Sequence, residues 1–115
     1  MHRYEVRKMG HNLEFPDVDS AAAAIRDLKA AIVEAESQIA DCLEKRAFEV
    51  EMLASLQIQP KIEANKEYLK TAARAYRLGI KAWNLSIIAY EKDIDAYQFE
   101  IDEILEHIPE ARMDH

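Results

Sequence analysis

Apolar residues between positions 76 and 108 recur on a seven-residue period. One series is Ile80, Ile87, Ile94, Ile101 and Ile108; the other is Tyr76, Trp83, Tyr90, Tyr97 and Ile104. They interleave at spacings of four and three, the a/d pattern of a packed helix seam. A β-branched line thus runs beside a mostly aromatic one, and the pattern predicts burial against other helices.

An earlier helix is predicted over about 19–57, with the apolar set Ile25, Leu28, Ile32, Ala35, Ile39, Leu43, Ala47, Val50 and Ala54. Two successive spacings of four at Leu43 read as a stutter in the seam. Asp17 or Asp19 is placed to cap its first turn, just after Pro16. The N-terminal arm, residues 1–16, is read as irregular or briefly extended, because Tyr4 and Val6 alternate with charges over too short a run to define a strand.

Pro60 fits the first turn of a second helix over about 61–108, leaving a tight turn near 57–60 and a tail at 109–115. A fold-back centred on residue 59 would set Trp83 against Ala35, Tyr76 against Cys42, Tyr97 against Ala21 and Gly79 against Ile39, large groups meeting small ones, with Tyr90 opposite Leu28 as the exception. The last turns of the second helix would outrun the first, with Leu13, Phe15 and Val18 as their cover. The fold class is therefore all-α: a long, coiled-coil-like antiparallel helical hairpin.

Two helices cannot enclose so wide an aromatic seam. Leu78, Leu85 and Phe99 lie on the face opposite the a/d line, with Ile88 beside them. Apolar residues on two faces of one helix call for a second interface, most simply a dimer of hairpins forming a four-helix bundle. The residues assigned to core or interface are thus Tyr76, Ile80, Trp83, Ile87, Tyr90, Ile94, Tyr97, Leu78, Leu85, Ile88 and Phe99.

Charge changes this picture in one respect. The 115 residues include 22 acids and 15 Lys or Arg, a net charge of −7. That balance disfavours non-specific attraction to nucleic acid or an anionic membrane. The second helix is nonetheless divided. Lys61, Lys66, Lys70, Arg74, Arg77 and Lys81 fill its first part, and acids dominate 91–106. The basic part is expected to pair with Glu44, Glu49 and Glu51 across the hairpin; the alternative is a regulatory protein binding nucleic acid through 61–81.

Candidate chemistry is sparse. No Gly-rich phosphate loop, His-Glu-x-x-His run, Ser elbow or Cys-x-x-Cys pair occurs. His2, His11, His107 and His115 fall near the two ends, and Glu103 lies one turn before His107, but terminal histidines of this kind are usually solvated. Cys42 is the only cysteine and allows no intrachain disulfide. The N-terminal residues do not read as a signal peptide, and no apolar run is long enough to span a membrane. The expectation is a non-enzymatic, cytoplasmic protein–protein interaction module of structural, adaptor or chaperone-like type. It takes no cofactor or metal, and its partner is itself or another protein, with no membrane partner.

Overall fold

In the computed structural model, which describes residues 4–8 and 11–112, two long helices form a helical hairpin preceded in sequence by two short strands. β1 (Tyr4–Lys8) pairs antiparallel with β2 (His11–Phe15), in a register from Tyr4 opposite Phe15 to Lys8 opposite His11. The arm, expected to be irregular or briefly extended, is therefore a two-stranded antiparallel ribbon over these residues. Alternation of Tyr4 and Val6 with charges suits a two-stranded ribbon, whose backbone bonds come from its neighbour and not from local pattern.

α1 spans Val18–Gln57. Its start is fixed by Asp17, whose Oδ1 accepts a hydrogen bond from the Ser20 backbone N–H at 2.7 Å. One of the four free N–H groups of the first turn is thereby satisfied. α2 spans Lys66–His107, beginning five residues later than the pattern implied. Pro60 lies in the connection, residues 58–65, and not in the helix. Asn65 is the physical reason. Its carbonyl accepts the Leu69 N–H at 2.9 Å, opening the helix. Its side chain meanwhile reaches backwards, accepting from the Ile62 N–H at 3.1 Å and donating to the Pro60 carbonyl at 3.2 Å.

The chain divides into two compact units. The first comprises residues 1–36 and 92–115. Its core holds Phe15 from β2, Ala21 and Ile25 from α1, and Ile101, Ile104, Ile108 and Ala111 from the C-terminal part of the chain. Val18, Leu28, Ile32 and Leu105 pack around this group. Phe15 and Val18 thus cover the end of α2 as expected, while the Leu13 side chain lies outside the described residues. Ala111 belongs to a single 3-10 turn, Pro109–Arg112, that follows α2. Ile25, Ile104 and Ile108 are the largest fully buried side chains. Each contributes about 1.5–3 kcal/mol from apolar area removed from water.

The second unit comprises residues 37–91. Here α1 and α2 run antiparallel, as three contacts show. Lys45 Nζ lies over the Trp83 ring, Arg46 bonds Asn84, and Gly79 lies against Glu49. These pairs are symmetric about residues 64–65 and not about 59. Trp83 therefore meets Lys45 and not Ala35, and Gly79 meets Glu49 and not Ile39; the pairing of Tyr76 with Cys42 belongs to the same displaced register. The longer connection moved the fold-back point.

The stutter expected near Leu43 is also absent. The inward face of α1 in this unit runs through Ile39, Cys42, Arg46, Glu49, Leu53 and Leu56, alternating by three and four without a slip. Two of those positions are polar, which hid the register from a reading based on hydrophobicity. The apolar residues taken for the seam here, Leu43, Ala47, Val50 and Ala54, are exposed.

Candidate interaction surfaces

The second unit brings together most of the residues that could carry a function. On α2 the inward face follows the heptad: Leu69 and Ile87 are buried, and Tyr76, Ile80, Trp83 and Tyr90 are half-buried. In the first unit Ile94 and Tyr97 are half-buried as well. The aromatic line therefore keeps part of its surface in solvent. Trp83 is covered on one side by Lys45, whose ammonium lies 5.1 Å from the ring centre and 3.1 Å from Asp41. A cation over an indole face is held by the ring quadrupole.

Beside this stack, Arg46 Nη1 donates to Asn84 Oδ1 at 2.7 Å in a partly buried bond between the helices. One turn further along α1, Glu49 occupies the space left by the missing side chain of Gly79. Its Oε2 is shielded from solvent and has no hydrogen-bond partner among the described residues. Asp41, Glu44, Lys45, Phe48, Glu49 and Trp83 together line an open groove of about 440 Å³. Its lining combines three acids and one lysine with two aromatic rings.

Outward, the unit carries two apolar stripes. On α2, Leu78, Leu85 and Ile88 are 61%, 59% and 48% exposed. On α1, Leu43, Ala47, Val50 and Ala54 repeat the same helical spacing in solvent. Phe99, in the first unit, is also about half exposed. Isolated exposed apolar residues are ordinary; here they recur at helical spacing on both helices.

At the loop end, Leu56, Gln57, Lys61, Lys66, Leu69, Lys70, Ala73 and Arg77 line a cavity of about 350 Å³. The expected pairing of the basic stretch 61–81 with Glu44, Glu49 and Glu51 does not occur: among the described residues, none of these cations forms an ion pair. The displaced register places Glu49 against Gly79 instead.

Of the candidate histidine side chains, only that of His107 lies among the described residues. His107 Nε2 lies 3.9 Å from Glu103 Oε2, whereas the side chains of His2, His11 and His115 fall outside the described residues. Among the described residues, no group of three or more His, Cys, Asp or Glu is placed to hold a metal ion. Cys42 is free and buried on the inward face of α1. No described helix is long and apolar enough to cross a membrane.

No family model matches the chain, and comparisons with curated proteins and with solved structures return no match.

Proposed function

We propose that the chain is a non-enzymatic interaction module that self-associates through its outward apolar stripes, two hairpins combining into a four-helix, coiled-coil-like bundle. A structural, adaptor or chaperone-like role follows from such a scaffold. One observation carries the reading: in the second unit polar Arg46 and Glu49 hold inward positions, while heptad-spaced Leu43, Ala47, Val50 and Ala54 lie outside. A helix with apolar residues at heptad spacing outside as well as inside has area left to bury against a partner. Leu78, Leu85 and Ile88 provide the matching stripe on α2, and the half-exposed aromatics would be covered in the same assembly.

Leu78→Gln with Leu85→Gln tests this reading. Both positions are exposed, so helicity by circular dichroism should persist while the mass in solution falls to 13.2 kDa. Retention of the oligomeric mass by the double variant would remove these residues from the interface.

Binding to nucleic acid through 61–81 is the competing reading, and the unpaired cations at the loop end favour an anion. The cavity, however, is lined by Leu56, Leu69 and Ala73, and a single exposed ring, Tyr68, lies among these cations in sequence, too few for a run of stacked bases.

A further inference from the structure

We propose that the loop end of the second unit docks onto an anionic lipid surface. Ile58 and Ile62 would enter the apolar boundary while Lys61, Lys66, Lys70 and Arg77 hold headgroup phosphates. The proposal rests on three features of residues 56–77 that nothing in self-association requires.

The first is apolar exposure on a braced loop. Ile58 is 85% exposed and Ile62 57%, on either side of Pro60. Asn65 fixes the backbone between them through its bonds to Ile62 and Pro60. Tyr68, in the first turn of α2, is 67% exposed. Two isoleucines and a tyrosine presented to water at one end match an interfacial anchor: aliphatic groups enter the acyl boundary, and the phenol sits at headgroup level.

The second is unpaired charge around an apolar floor. The four cations line a cavity whose floor is Leu56, Leu69 and Ala73, and none has an acidic partner among the described residues. A phospholipid combines an anionic diester with an apolar body, and both find complements here. Lysine stems lie along apolar surface while their ammonium groups reach outwards, so charge and burial do not conflict.

The third is the local reversal of charge. The chain as a whole carries −7, which would repel an anionic bilayer. Residues 57–77 carry five Lys or Arg against Glu63 and Glu67. Attraction to the surface falls off within a Debye length, so the cations nearest the lipid decide the sign. The contact is peripheral, since no described helix can cross a membrane.

The test is sedimentation of the full chain with vesicles of phosphatidylcholine alone and of phosphatidylcholine mixed with phosphatidylglycerol. Retention should be several-fold greater on the mixture and should decline as salt is raised. Lys66→Gln with Lys70→Gln should weaken partitioning by about fivefold per cation removed. Ile58→Ser with Ile62→Ser should weaken it at unchanged charge. All four positions are exposed, so helicity should be unaffected, and circular dichroism checks this. Failure to bind the mixed vesicles at low salt would overturn the proposal, as would retention that both double variants leave intact. Equal capture by single-stranded DNA, insensitive to the isoleucine changes, would reassign the cations to nucleic acid.

Discussion

The ammonium group of Lys45 lies over the indole of Trp83, 5.1 Å from the ring centre, and joins α1 to α2 in the second unit. Trp83 is only half-buried, so the pair is both a packing contact and an electrostatic one. Trp83→Ala should destabilise the fold by about 2 kcal/mol, below the range for a fully buried aromatic. Lys45→Ala should cost under about 1 kcal/mol, and a double-mutant cycle should return a coupling of about 0.5–1 kcal/mol. Urea midpoints of the two single variants and the double variant measure all three quantities. Zero coupling would mean the stack contributes nothing to stability.

Gly79 and Glu49 yield a prediction of opposite sign. A Cβ at Gly79 would collide with the Glu49 carboxyl, which is the far end of a flexible side chain. That carboxyl already holds a shielded, unpartnered oxygen, so displacing it into water relieves a cost. Gly79→Ala should therefore stabilise the protein by about 0.5–1 kcal/mol, through helix propensity and a less flexible unfolded chain. A lower thermal midpoint would show that Glu49 cannot move aside.

The first unit should respond most strongly at its C-terminal isoleucines. Ile104 is almost wholly buried in the cluster with Ile25 and Ile108, whereas Tyr97 retains solvent contact. Ile104→Ala should cost about 2–5 kcal/mol, and Tyr97→Ala less. Chemical denaturation of the two variants checks the order, which a uniformly buried seam would not produce.

Asn65 closes the connection from both sides. Asn65→Ala should cost about 1 kcal/mol by removing two hydrogen bonds at the start of α2. Asn65→Asp should retain the bond from the Ile62 N–H and lose the one to Pro60, giving an intermediate melting temperature. Identical melting of all three proteins would mean the connection is held by other groups.

Much of this architecture was legible because it is local. Pro16 and Asp17 announce the start of α1, and the 3-4 periodicity carries α2 to Ile108, one residue past its observed end at His107. Leu78, Leu85, Ile88 and Phe99 were separable from the seam by helical geometry alone, and all four are exposed. What was not legible depended on contacts between segments. Pairing of β1 with β2 leaves little trace in two short charged runs. The clamp made by Asn65 looks like an ordinary polar loop residue, so Pro60 drew the helix start towards itself. Arg46 and Glu49 concealed the inward face of α1, because hydrophobicity pointed to Leu43 and Val50. The residues so misplaced, Leu43, Ala47, Val50 and Ala54, are the exposed ones on which the proposed self-association draws.

Absolute mass in solution, by light scattering after size exclusion, tests the central claim most directly. Self-association through the outward stripes predicts twice the chain mass of 13.2 kDa, maintained on dilution into the micromolar range. A particle of 13.2 kDa at all concentrations would contradict it.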